Sequence, residues 1–220
     1  TSAALLVVDN ASLEARAYVG SVAFGDKPRL GHVDMVQAWR SPGSTLKPFL
    51  YGMALDAGMI HSESLLVDAP QSFGGYRPSN FDAAFNGPVG AATALRLSLN
   101  VPAVDLLERV GPARFAARLE HAGITLKFPR GAEPNLSMIL GGTGARLEDL
   151  VDRGPHAKGL RDLEDAVGGG CSESGADGVL VIAFAGTGNL DFIEACQTGF
   201  ETAQGLLHRL LEGTADGHDF

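Results

Sequence analysis

Arg40-Ser41-Pro42-Gly43-Ser44-Thr45-Leu46-Lys47-Pro48-Phe49-Leu50-Tyr51-Gly52 is the stretch on which the reading of this chain turns. Pro42-Gly43 signals a chain reversal. Behind it Leu46, Phe49, Leu50, Met53 and Ala54 recur at helical spacing as far as Gly58, a natural helix stop. A largely buried helix opening near Ser44 is therefore predicted. Its first turn would carry Ser44 and Lys47, three residues apart, on one face. A serine hydroxyl is a poor nucleophile at neutral pH and needs a base, and a lysine serves only where burial or nearby positive charge lowers its pKa. The positive end of the helix dipole and its free N–H groups would converge beside Ser44, where an oxyanion must be held in acyl transfer. Pro48 removes an N–H that would bond the Ser44 carbonyl and disfavours helical geometry at Lys47, so a distorted first turn is expected. Serine and lysine at this spacing also recur by chance on solvated helix faces, so the tetrapeptide alone decides nothing.

A second element, Ser98-Leu99-Asn100, changes the odds, because Ser-x-x-Lys with Ser-x-Asn makes two parts of a three-part signature. In such a site Ser98 would relay a proton towards a leaving amine, and the Asn100 amide would orient a substrate backbone with its paired donor and acceptor. The structural alternative is that Ser98 and Asn100 end one helix and cap the next, with Pro102 in the first turn. The two roles are compatible.

The chain resembles, over nearly all of residues 1–150, the transpeptidase domain of class A penicillin-binding proteins, especially the 1C type. The resemblance rests on the run from Arg40 to Gly52, on Leu55-Asp56-Ala57-Gly58-Met59-Ile60-His61 and on Gly75-Tyr76-Arg77-Pro78-Ser79-Asn80-Phe81-Asp82. It continues in Asn86-Gly87-Pro88-Val89 and from Ala94 through Ser98-Leu99-Asn100-Val101-Pro102-Ala103-Val104. It implies an α/β (α+β) fold of the β-lactamase/transpeptidase type, an antiparallel sheet flanked by helices. It implies Ser44 as the acylated serine, Lys47 as its base, and Ser98 and Asn100 as the second catalytic motif. The implied partners are the D-alanyl-D-alanine end of a peptidoglycan stem peptide and its β-lactam mimics, with no cofactor. Relatives of this type are anchored in the inner membrane with the catalytic part in the periplasm. The chain, which opens with no signal peptide and has no apolar stretch long enough to span a bilayer, is expected to be a fragment lacking that anchor.

The family's third motif, Lys-Thr-Gly on a strand lining the cleft, does not occur in this sequence. The nearest strings are Gly142-Thr143-Gly144, Gly186-Thr187-Gly188 and Gln197-Thr198-Gly199, each without the lysine. Gly186-Thr187-Gly188 follows an apolar run, residues 179–184, that reads as a buried strand, which makes Thr187 and Gly188 the candidate substrate-binding stand-in. The missing lysine would have supplied charge for a substrate carboxylate and helped keep Lys47 neutral. Either an impaired enzyme or a non-catalytic binding or scaffolding fragment is consistent with its loss.

Composition fits a globular chain of 220 residues with 45% hydrophobic residues, enough for one sizeable core or a core plus an appendage. The net charge of −9 argues against nucleic acid as a partner. Cys171 and Cys196 would pair in an oxidising compartment or remain separate thiols. The six histidines are scattered without ligand spacing, so no metal site is expected.

Residues 4–8 and 15–19 read as a strand hairpin, and residues 59–90 as loop over the cleft, with Tyr76, Phe81 and Phe85 packing inward. Helices are predicted at 91–97, 102–110 and 112–122, and a tight turn after 136–140. Residues 1–151 form the transpeptidase-like part. Residues 152–220 form a tail with a strand at 178–185, an amphipathic helix near 200–211, and a joint at 168–170 and 172–178.

Overall fold

The computed structural model describes residues 3–9, 14–21, 24, 25, 27, 31–81, 83–153 and 179–185. They fall into two units, one drawn from residues up to Arg40 with Arg146–Asp152 and the strand at 179–185, the other from Ser41–Ala145.

The first unit is built on strands β1 (Ala3–Asp9), β2 (Ala15–Val19) and β5 (Val179–Ala185), in the order β2-β1-β5 with every pairing antiparallel. An unbroken apolar run makes β1 the central strand, and residues 4–8 are all buried. Side chains alternate across a strand. Ala4, Leu6 and Val8 accordingly share one core with Met35, Val36, Leu147 and Val151, the last two from helix α5 (Leu147–Arg153). The predicted hairpin is present with Leu6 opposite Tyr18, and its register shifts between Val7 and Val8. The strand expected in the tail pairs along the other edge of β1, Leu6 facing Ile182.

The second unit packs around α3 (Asn100–Val110), whose Val101, Ala103, Val104, Leu106 and Leu107 are all buried. Helices α1 (Lys47–Asp56), α2 (Ala91–Arg96) and α4 (Pro112–His121) pack with it, as does a short 3-10 helix, Leu136–Leu140. Gly141, in the left-handed conformation, closes that last turn, which matches the tight turn expected there.

Three expectations are corrected. The helix opens at Lys47, not near Ser44, because proline at 48 cannot donate to the Ser44 carbonyl and so fits only inside the first turn. Residues 59–90 are not all loop: β3 (Leu65–Asp68) and β4 (Gly87–Gly90) pair antiparallel, Leu66 against Val89. Phe81 is wholly exposed, and Tyr76 and Phe85 are exposed as well, while Phe73 takes the buried place.

The expected helix near 200–211, the joint, Thr187, Gly188, Cys171 and Cys196 lie outside the described residues.

Candidate active site

Two successive turns present Ser44. The Thr45 N–H donates to the Pro42 carbonyl and the Lys47 N–H to the Ser44 carbonyl, each at 3.0 Å, and the Thr45 hydroxyl reinforces the first at 2.7 Å. Gly43 sits inside this first turn at φ 53°, a left-handed value that glycine adopts without steric penalty. The second turn spans three residues rather than four, the distortion expected from Pro48. The backbone N–H of Ser44 donates no hydrogen bond among the described residues.

Lys47 is 1% exposed. Its Nζ donates to the Ser98 carbonyl at 2.6 Å, to Asn100 Oδ1 at 2.7 Å and to Ser98 Oγ at 3.1 Å. Three acceptors match the three protons of an ammonium. Burial disfavours the charge and lowers the Lys47 pKa to about 8. The amine is thus held by the second motif and lies one turn from Ser44. No hydrogen bond joins it to Ser44 Oγ among the described residues.

The Ser98 backbone is strained. At the end of α2 the Ser98 N–H donates to the Leu95 carbonyl and the Leu99 N–H to the Ala94 carbonyl, the paired bonds that close a helix through one left-handed residue. The same closure ends α1 at Gly58 and α4 at Gly123, where glycine supplies the conformation. At α2 the residue is a serine at φ 52°. An L-residue held there costs about 1–2 kcal/mol. The gain is position, since this conformation sets both oxygens of Ser98 against Lys47.

Asn100 does not cap α3 with its own side chain. It is the first residue of the helix, and its amide is taken up by Lys47 on Oδ1 and by the Ser79 carbonyl, which accepts from Nδ2 at 2.8 Å. Sequence reasoning missed the groups behind it. Asn80 Oδ1 accepts from the Asn100 N–H at 2.8 Å, and Asn80 is itself held by the buried carboxylate of Asp68. It also missed Gly141. The Ser41 hydroxyl donates to the Gly141 carbonyl and accepts from the Gly43 N–H at 3.3 Å, so the loop before Ser44 is fastened to the end of the 3-10 helix. The signal available was the paired Gly141-Gly142, which marks a close backbone approach as readily as a turn. An open hollow of about 370 Å³ beside it is lined by Lys127, Phe128, Pro129 and residues 141–144.

The sequence pattern of the family described as the penicillin binding protein transpeptidase domain matches residues 3–131. The chain belongs to that family. This transpeptidase domain is 57% identical over 151 residues to penicillin-binding protein 1C of Escherichia coli, a match covering 69% of this chain and 20% of the relative. The chain thus spans about one fifth of that relative's length. Among solved structures it is similar to PonA1 of Mycobacterium tuberculosis in complex with penicillin V, at 28% identity and a TM-score of 0.57 over 67% of this chain and 41% of that one. Penicillin-binding protein 1A of Haemophilus influenzae, at 21% identity and a TM-score of 0.59, covers 90% of this chain and 28% of its own, and shares the fold. The transpeptidase domain therefore has the β-lactamase/transpeptidase fold that the resemblance implied.

Proposed function

We propose that this domain forms a serine acyl-enzyme in cell-wall synthesis. Ser44 attacks the carbonyl of the penultimate D-alanine of a peptidoglycan stem peptide. The Ser44 oxygen bonds to that carbon, the peptide C–N bond breaks, and the terminal D-alanine leaves as an amine. An acceptor amine, or water, then releases the acyl group from Ser44. β-Lactams would open on the same serine. The location proposed is the periplasm, in a longer membrane-attached protein.

The buried Lys47 amine, bonded to Ser98 and Asn100 and with its pKa lowered to about 8, supports this reading best. On losing one proton it keeps two donors for the Ser98 carbonyl and Asn100 Oδ1 and gains a lone pair. The Ser98 hydroxyl alone among the three partners can reverse from acceptor to donor. In this scheme Lys47 takes the Ser44 proton and passes it through Ser98 to the leaving nitrogen. The unused Ser44 N–H serves as one oxyanion donor.

Incubation with a labelled penicillin, followed by intact mass and peptide mapping, tests the proposal. A single adduct on Ser44, absent from Ser44→Ala, is expected. Folded protein with no adduct would overturn it.

The absence of Lys-Thr-Gly from the sequence favours a second reading, a non-catalytic module that binds stem peptide reversibly. That reading predicts saturable binding by calorimetry and no covalent product. Slow acylation is the outcome expected if the chemistry survives without that lysine.

A further inference from the structure

Asp68, the last residue of β3, is fully buried, and no cation lies within ion-pair distance of it among the described residues. A carboxylate so placed persists only if its lone pairs are met by donors. They are. Asn80 Nδ2 donates to its two oxygens at 2.8 and 2.9 Å, and both the N–H and Nδ2 of Asn86 donate to Oδ2 at 2.8 Å. Burial first, then the charges of Asp105 and Asp68, push the Tyr51 hydroxyl up and keep it neutral.

An ionised carboxylate only accepts, so the Asn80 amide has one permitted sense. Nδ2 must face Asp68, its second proton going to the Ala84 carbonyl at 2.8 Å, and Oδ1 must face the other way. There it meets the N–H of Asn100. That N–H opens α3 and has no partner within the helix, and the preceding Leu99 offers no side-chain cap. Asn80 therefore caps α3 from another segment of the chain. Its neighbour Ser79 holds the Asn100 side chain, so residues 79 and 80 grip Asn100 by both amide and backbone.

From this geometry we infer that Asp68 and Asn80 are positioning residues for the second motif, fixing Asn100 and, through its Oδ1, the Lys47 amine. The inference rests on the function proposed above. Neither residue would touch substrate.

The test uses the 220-residue chain and two readouts, the second-order rate of acylation by labelled penicillin and the titration of the Lys47 amine by NMR. Asn80→Asp sets two carboxylates face to face and should slow acylation at least tenfold. Adding Asp68→Asn lets the new amide at position 68 donate to the new carboxylate at position 80, which still accepts from Asn100 but no longer donates to the Ala84 carbonyl. That exchange should recover part of the lost rate, at least threefold over Asn80→Asp. If Asn80→Asp does not fold, the Lys47 titration in Asn80→Ala decides. In Asn80→Ala the charged Lys47 loses a fixed acceptor, so its titration midpoint should fall. General loosening would instead hydrate the amine and raise it.

An exchanged pair no faster than Asn80→Asp, or a Lys47 midpoint in Asn80→Ala that stays or rises, overturns the inference. If the parent chain is not acylated at all, the proposed chemistry falls, and the titration alone decides whether the pair positions the amine.

Discussion

The Ser41 hydroxyl donates to the carbonyl of Gly141 at 2.8 Å, joining the loop ahead of Ser44 to a segment 100 residues further along. The approach leaves no room for a side chain at Gly141. A Cβ there would lie 2.3 Å from Ser41 Oγ and 3.1 Å from the Gly43 backbone, and the residue sits at φ 94°.

Gly141→Ala should therefore carry two penalties where Gly131→Ala carries one. Gly131 is also left-handed, at φ 78°, but nothing lies within 4 Å of its missing Cβ. Strain alone should cost Gly131→Ala about 1 kcal/mol. Gly141→Ala should lose about 3 kcal/mol by urea denaturation, because backbone must also move. Its acylation rate should fall with it, while that of Gly131→Ala holds. Equal losses in the two variants would show that the contact with the Ser44 loop is unimportant.

Ser98 lends itself to a comparison of Ser98→Gly with Ser98→Ala. Both remove the hydroxyl that meets Lys47, and only glycine relieves the left-handed backbone. The glycine variant should be the more stable by about 1 kcal/mol. Both should be acylated roughly 100-fold more slowly, the scale of one lost proton-transfer group. A glycine variant that keeps parental rates would remove Ser98 from the proton path.

Lys47 sets a pH dependence whose sign follows from its burial. Its pKa drops from 10.5 to about 8 on folding. Between those values the unfolded chain binds more protons than the folded one, so stability rises with pH across the window and is lost as pH falls through about 8. The full span is roughly 3 kcal/mol. Denaturation at pH 7.5 and 10 should show this rise in the parent and its absence in Lys47→Met. Acylation should instead climb below that window and level off above about pH 8, since only about one tenth of the amine is neutral at pH 7. A rate that is flat from pH 6.5 to 9 would exclude Lys47 as the base.

Much of this was legible before any coordinates. The apolar run of β1 and the buried helix after Ser44 are local patterns that appear as strand and helix, the helix opening three residues later than expected, and the two short motifs were read directly as strings. What escaped was set by contacts between distant segments. β4 reads Gly-Pro-Val-Gly, a composition that strands avoid, and it is a strand because β3 pairs with it. Asn80 caps a helix that begins 20 residues later, which no cap rule based on adjacency can find. Phe81 looks like a core anchor by residue type. It points outward beside Asn80, which takes the buried place and bonds Asp68 of β3.

The pairing of β1 with β5 sets Ala3 opposite Ala185, so β1 must wait for the last described strand before both its edges are matched. Residues 41–145, by contrast, are contiguous in the unit they form. Closing so long a loop carries an entropic cost on the order of 5 kcal/mol that nearby partners do not. During vectorial synthesis, then, the apparatus around Lys47 can assemble while the edge of β1 that β5 will occupy is still open to hydrogen bonding, the kind of surface on which chains aggregate.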